Sequence, residues 1–317
     1  MADKVIATLP AFVQKHIGAE LPDWLEPRWF SGKDEALVLG RDAEIGWFDM
    51  DGKGDMAAAV NNAGKLRWLN SFIAGVDFLP LATLAQRKVV VTNGVGITAL
   101  AVAEYAVMGM LTIAKGYRDV VQAQGRHEWL RDAPGRIELF GSKALLIGYG
   151  AIGQLVAQRL RAFEVQVTVV RRDPGTSAQT LGPDQWRARL GDFDWVILAA
   201  PATAQTRHMI GAAELAAMQA SAVLLNVARG SLVDQDALVT ALAERQIAAA
   251  FLDVTDPEPL PPEHLLWSLD NAHVTMHLSG RSQTRAIQRS ARRFLENLAR
   301  YRAGEPLHHQ VDLALGY

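Results

Sequence analysis

The sequence of 317 residues contains no cysteine. That excludes a disulfide framework, thiolate metal sites and cysteine nucleophiles together, and it is compatible with the cytoplasm, where we expect the protein. Neither sign of charge is in excess: 32 lysines and arginines stand against 34 acids, for a net charge of −2. The arginines are scattered, so nothing suggests a nucleic-acid surface. No apolar run reaches the roughly 20 residues a bilayer crossing needs. The longest, residues 99–114, contains Glu104 and reads as a buried helix, so no membrane partner is expected. Residues 1–10 lack a basic start followed by an apolar core, so no signal peptide is expected. Solenoid repeats and low-complexity tracts are absent, and the one proline-dense segment holds Pro257, Pro259, Pro261 and Pro262. Histidines adjoin only at His308–His309, which gives metal chemistry little support, and no metal site is expected. What remains is an ordinary globular mixture, 50% apolar and 21% charged, long enough for two domains.

The most informative stretch is Lys143 to Asp173. An apolar run, Ala144 to Ile147, has the length of a strand buried on both faces and leads into Gly148-Tyr149-Gly150-Ala151-Ile152-Gly153. Ile152, Leu155, Val156, Leu160 and Phe163 then recur at helical spacing, and a second apolar run spans Val165 to Val170. The unit reads β-α-β, the context that separates a dinucleotide-binding glycine turn from a chance GxGxxG. Gly148 permits the tight turn, Gly150 lets a pyrophosphate approach the backbone, and Gly153 lets the helix pack on the strand. The phosphates are expected on the N–H groups and positive dipole end of the helix beginning near Ala151. At the end of the second strand stand Arg171 and Arg172, where a carboxylate would select NAD. We therefore expect NADP as cofactor, with NAD also possible; the bland alternative is that the two arginines merely cap a loop.

Around this unit the chain alternates. Strands are expected at 5–9, 24–30, 43–48, 66–73 and 89–92, with helices at 10–16, 34–41 and 55–63 and turn chemistry over Asp49 to Gly54. A long apolar helix from Thr98 to about Tyr117 leads onward. After Asp173 strands are expected at 195–199, 222–226, 247–252 and 272–275, helices at 212–219 and 234–244, and a last helix at 281–301. The pattern predicts an N-terminal α/β domain besides the nucleotide unit.

Ligands of parallel sheets collect beyond the carboxyl ends of the strands. Three such ends carry Arg229, Glu258 and His277. Singly, each reads as a surface charge, a loop acid or a packed histidine. Jointly, beside a dinucleotide site, they form a candidate catalytic set.

These residues also carry a resemblance. GYGAIG, NVARGSLVDQDAL, FLDVTDPEPLPPEHLLW and HVTMHLSG occur in the order and approximate spacing of the D-isomer-specific 2-hydroxyacid dehydrogenases, over nearly the whole chain. The arginine pair and the ending QVDLALGY most resemble the glyoxylate/hydroxypyruvate reductases. The resemblance implies two Rossmann-like α/β domains with parallel sheets and the active site in the cleft between them. The substrate domain would hold residues 1–97 and 287–317, and the dinucleotide-binding domain residues 98–286. A homodimer is also implied. By motif, Arg229 is the substrate-binding arginine, Glu258 the partner of the histidine and His277 the acid/base. Asp253 is expected on the nicotinamide amide. Pro201, Val227 and Ser279 join Gly148, Gly150, Ala151, Ile152, Gly153, Arg171 and Arg172 as cofactor contacts. Ala74 and Gly75, in Ile73-Ala74-Gly75-Val76-Asp77, resemble the loop whose amides bind the substrate carboxylate. The expected activity is NADPH-preferring reduction of glyoxylate or hydroxypyruvate to the 2-hydroxy acid. Two other readings stand beside it: an NAD-linked D-2-hydroxyacid dehydrogenase for a larger substrate, and a non-catalytic dinucleotide-binding regulator of the same fold. Two positions depart from the family pattern. Met276 replaces a proline before the histidine, which leads us to expect a looser loop there, and Thr255 replaces an aromatic.

Overall fold

Short runs of valine, leucine, isoleucine and alanine, buried on both faces, become parallel strands, and the segments between them mostly become helices that cover those faces. In the computed structural model, which describes residues 4–175, 177, 179–281 and 284–316, twelve strands result. They are β1 (Val5–Pro10), β2 (Leu25–Phe30), β3 (Ile45–Trp47), β4 (Trp68–Asn70), β5 (Val90–Thr92), β6 (Lys143–Ile147), β7 (Gln166–Val170), β8 (Thr180–Leu181), β9 (Trp195–Leu198), β10 (Val223–Asn226), β11 (Ala249–Leu252) and β12 (Ala272–Val274). The α-helices are α1 (Gln14–Ile17), α2 (Lys33–Gly40), α3 (Lys53–Asn62), α4 (Leu81–Gln86), α5 (Ala99–Ala114), α6 (Tyr117–Gly125), α7 (Ala151–Ala162), α8 (Ala212–Ala217), α9 (Gln235–Ala243) and α10 (Thr284–Ala303).

The described residues divide into two compact units. The first runs to Thr98 and resumes with α10 to the C-terminal end; the second is Ala99–Arg281. The first holds a five-stranded parallel sheet in the order β2-β1-β3-β4-β5. The second holds a seven-stranded parallel sheet in the order β12-β11-β10-β9-β6-β7-β8. Both are doubly wound. The winding reverses between β1 and β3 in the first sheet and between β6 and β9 in the second, and such reversals open the crevice where ligands bind.

Each sheet has a core on either face, because successive side chains of a strand point to opposite sides. In β6, Leu145 and Ile147 enter one cluster and Ala144 and Leu146 the other. Helices α5 and α7 cover the second of these faces; Gly109 of α5 lies so close that a Cβ there would meet the Phe251 ring at 2.6 Å. In the first unit α10 brings Phe294, fully buried, against Trp47 and Trp68, with both ring centroids 5.1 Å away.

Several expected boundaries are corrected. The expected strand 66–73 is paired only over Trp68–Asn70. Beyond it Ser71 N–H donates to Thr92 O, while Phe72 N–H and Ile73 N–H turn to the side chains of Asp49 and Ser71. The expected helix to Tyr117 stops at Ala114, since Gly116 takes a left-handed φ of 59° against Pro134 and Gly135, and α6 starts afresh beyond it. The expected helix 10–16 is a short α-helix, α1, between 3-10 turns at Ala11–Val13 and Gly18–Glu20. Helix α4 and strand β8 carry no clear periodic signal and went unanticipated.

Candidate active site

The glycine turn after β6 has the expected form. Gly148 has φ 103°, and a Cβ on it would sit 2.6 Å from the Ala199 backbone at the end of β9, across the point where the sheet reverses. A Cβ on Gly153 would collide with Gly148 O. At Gly150 a Cβ would meet nothing within 4 Å, so that face of the backbone is open to a ligand. No side chain caps α7, and among the described residues the N–H groups of Ala151, Ile152 and Gly153 have no protein acceptor. An open glycine and a run of orphan donors at a helix N-terminus suit a pyrophosphate. Arg171 and Arg172 are both exposed just beyond β7, where a ribose phosphate would be read. Pro201 follows β9, its carbonyl accepting from Thr206 Oγ1 at 2.7 Å, and Val227 is buried with its N–H on Leu198 O.

The arginine, glutamate and histidine arise from three adjacent strands of this sheet, β10, β11 and β12. After β10 the buried Asn226 folds the chain back: its Oδ1 accepts from Ala228 N–H at 3.1 Å and its Nδ2 donates to Arg229 O at 2.8 Å. Arg229 Nη1 donates to Ala228 O at 2.8 Å, which fixes one edge of the guanidinium. The next residue must be glycine, because a Cβ on Gly230 would collide with the Thr255 carbonyl. That close approach joins the arginine loop to the segment after β11. There Thr255 Oγ1 donates to Pro257 O at 2.9 Å, and Thr255 N–H donates to Glu258 Oε1 at 3.3 Å. Glu258 Oε2 lies 2.8 Å from His277 Nδ1, both side chains one-third exposed. A carboxylate on Nδ1 fixes the ring and leaves Nε2 as the nitrogen for a substrate. The set can thus deliver a proton from a held imidazole and place a guanidinium on a carboxylate or carbonyl.

The His277 loop is held from below by Asp253. This residue is 2% exposed, and its Oδ1 accepts from Thr275 Oγ1 at 2.8 Å, Leu278 N–H at 3.1 Å and Ser279 N–H at 3.3 Å. Its carbonyl accepts from His277 N–H. Met276 and His277 have φ of 54° and 55°.

In the first unit, Ala74 and Gly75 follow β4. Asn93 Nδ2 donates to Ala74 O at 2.7 Å and Gly94 N–H to Ile73 O at 3.0 Å. Among the described residues the N–H groups of Ala74 and Gly75, both partly exposed, donate to no protein acceptor, so two successive donors are available to an anion. One residue there was read from the sequence as part of a turn and belongs instead to the interior: Asp49 is 7% exposed. Its carboxylate accepts from Trp47 Nε1 at 2.6 Å, from Ser71 Oγ at 2.8 Å and from Phe72 N–H. Burial pushes its carboxyl above the ordinary carboxylate range, against these three donors. Asn226 and Asp49 both escaped the sequence reading; the available signal was a polar residue at or just past the end of a buried strand.

Residues 107–279 match the family model described as D-isomer specific 2-hydroxyacid dehydrogenase, NAD binding domain. A glyoxylate reductase of Pyrococcus furiosus is 32% identical over 254 residues, 77% of this chain and 75% of that one. A D-3-phosphoglycerate dehydrogenase of Methanocaldococcus jannaschii is 31% identical over 287 residues, 89% of this chain but 54% of that one, so this chain spans about half of its length. Among solved structures, an NADPH-dependent glyoxylate/hydroxypyruvate reductase of Sinorhizobium meliloti, in complex with NADP and malonate, is 26% identical with a TM-score of 0.80. The match covers 99% of this chain and 98% of that one.

Proposed function

Because this chain belongs to the D-isomer-specific 2-hydroxyacid dehydrogenases, NAD(P)-dependent oxidoreductases, we propose that it reduces a small 2-oxo acid, glyoxylate or hydroxypyruvate, with NADPH preferred. The observation that carries the reading is the His277–Glu258 pair at 2.8 Å, a histidine oriented to give a proton. When bound, the cofactor supplies the hydride that reaches the carbonyl carbon. As the carbonyl π bond opens, its electron pair takes the proton of His277 Nε2, giving the hydroxyl. Glu258 stabilises the imidazolium before transfer and keeps Nδ1 protonated throughout. Arg229, permanently charged, binds and polarises the oxygen side of the substrate. Ala74 and Gly75 offer backbone N–H groups to the substrate carboxylate. Gly148 to Gly153 would hold the cofactor and Arg171 and Arg172 its 2′-phosphate, with Pro201, Val227, Asp253 and Ser279 around it.

The small substrate is supported by the glyoxylate reductase relatives. The phosphoglycerate dehydrogenase relative supports a second reading, an NAD-linked enzyme for a larger acid. A homodimer belongs to the proposal, since the second unit exposes Trp129 at 94% and Phe140 at 66%, apolar surface that a second copy would cover. The test is a panel of 2-oxo acids, from glyoxylate and hydroxypyruvate to bulkier acids, each assayed with NADPH and with NADH. Highest kcat/KM with the two small acids and NADPH is expected; highest kcat/KM with a bulky acid and NADH would replace this reading with the second one.

A further inference from the structure

Asp49 stands two residues beyond β3, and β3 borders the point where the first sheet reverses its winding. A carboxylate buried in a protein interior is costly unless donors surround it. Here all three donors are neutral groups: Trp47 Nε1, Ser71 Oγ and Phe72 N–H. Two of the three belong to the start of the segment that leads to Ala74. Phe72 N–H is drawn out of the β4 ladder by Asp49, and this is where the strand stops. Ser71 Oγ, while donating to Asp49, accepts from Ile73 N–H at 3.1 Å and so passes the constraint one residue further. On the other side Gly94 is pressed so closely on Phe72 that a Cβ there would collide with Phe72 O, and Asn93 holds Ala74 O. The peptide units from Ser71 to Ala74 are thus fixed on both sides, just before the two N–H groups that have no protein acceptor.

We propose that Asp49 is a positioning residue: its carboxylate fixes the orientation of the Ala74 and Gly75 N–H groups and thereby sets the affinity for the carboxylate of the 2-oxo acid. This rests on the function proposed above. Asp49 touches neither substrate nor cofactor in this role and acts through Ser71 and Phe72. An asparagine retains it in large part, because its carbonyl oxygen can take the place of Oδ2, accepting from Trp47 and Phe72, while its amide faces Ser71 Oγ. An alanine removes it and leaves three buried donors without an acceptor.

The experiment compares the full-length protein with Asp49→Ala, Asp49→Asn and Ser71→Ala. It measures kcat and KM for glyoxylate at saturating NADPH, the Kd of NADPH by fluorescence titration, and Tm. The expected pattern is a KM raised roughly tenfold or more in Asp49→Ala and several-fold in Ser71→Ala, with kcat changed less than about threefold and the NADPH Kd unmoved. Asp49→Asn should stay within about threefold of the unaltered KM. A folded Asp49→Ala with unaltered KM overturns the proposal, as does an asparagine as damaging as the alanine. If Asp49→Ala does not fold, Ser71→Ala decides: a KM unchanged there, or a fall in kcat and NADPH affinity together, overturns it. Should the unaltered protein reduce no 2-oxo acid, the functional reading fails and this proposal falls with it. An active protein whose KM ignores Asp49 and Ser71 sinks only the role of Asp49.

Discussion

Arg229→Lys separates charge from geometry at the substrate. The arginine is not a mobile surface cation: its backbone carbonyl is held by Asn226 at 2.8 Å and its Nη1 by Ala228 O at 2.8 Å. One edge of the fork is thus spent on orientation, and the role proposed for the guanidinium is to make parallel bonds to a carboxylate or carbonyl oxygen. Lysine keeps the positive charge but brings a single point donor on a flexible stem. On the proposed role, the substitution therefore deletes one charge-assisted hydrogen bond to the substrate together with the internal bond that aims the group. A hydrogen bond to a charged group contributes about 1.5–3 kcal/mol. At about 1.4 kcal/mol per factor of ten, this corresponds to a loss of about 10- to 150-fold in kcat/KM for glyoxylate. The assay is steady-state reduction followed at the NADPH absorbance band, with NADPH binding titrated separately. The cofactor affinity should be nearly unchanged, because the contacts proposed for the cofactor are the glycine turn and Arg171–Arg172. A loss below threefold would refute the bidentate role, and an equal loss of NADPH affinity would show that the substitution disturbed the fold around β10 instead.

The other predictions concern cofactor choice, proton delivery and acid stability. Arg171→Asp combined with Arg172→Ser should flatten or reverse the NADPH preference in kcat/KM, and an unaltered protein that uses NADH equally well would remove the role assigned to the pair. His277→Ala should lower kcat about 10²- to 10⁴-fold with little change in NADPH Kd. Glu258→Gln should lower kcat for reduction while leaving the NADPH Kd unmoved; an unaltered kcat argues against the pairing. Burial first and Arg118 second hold His273 below the ordinary histidine value, and burial does the same at His309. The unfolded chain therefore binds more protons than the native one as pH falls below about 6.5. Stability from this source is complete above that value and is lost on acidification, down to the depressed native values. Urea midpoints measured from pH 7.5 to 5 should fall, and fall less in His273→Asn; equal slopes in both proteins would contradict the assignment.

Much of the fold was legible because its signals are local and repeated. Runs such as Ala144 to Ile147 and Val223 to Asn226 are too short for helices and too apolar for loops, and each ends where glycine or asparagine turns the chain. The elements that escaped lack such a signal. Strand β8 has only two residues and pairs on one side. Helix α6 was hidden behind the apolar run before it; only Lys115 and Gly116 separate the two, and the left-handed φ of Gly116, where Pro134 and Gly135 crowd the Cβ position, ends one helix and starts the other. Strand β4 was overextended for the converse reason. Phe72 and Ile73 have the residue types of a strand, yet a carboxylate distant in sequence takes the N–H that would have continued the ladder.

The candidate site divides the same way. Arg229, Glu258 and His277, whose chemistry stands at three strand ends, could be picked out jointly, though none of them singly. The groups that aim them could not, since an asparagine, a glycine or an aspartate in a buried position announces nothing without its partners. Met276 shows how this misleads. From the sequence, replacing a proline before His277 suggests a looser loop, because proline fixes φ near −65°. The observed φ of 54° at Met276 is one that proline cannot adopt, so rigidity here has a different source. Asp253 supplies it, gathering Thr275 Oγ1, Leu278 N–H and Ser279 N–H on one oxygen while its carbonyl holds His277 N–H. The imidazole is thus oriented from two sides, by Glu258 at its ring and by Asp253 at its backbone. The arrangement makes Asp253 a determinant of where the His277 ring stands.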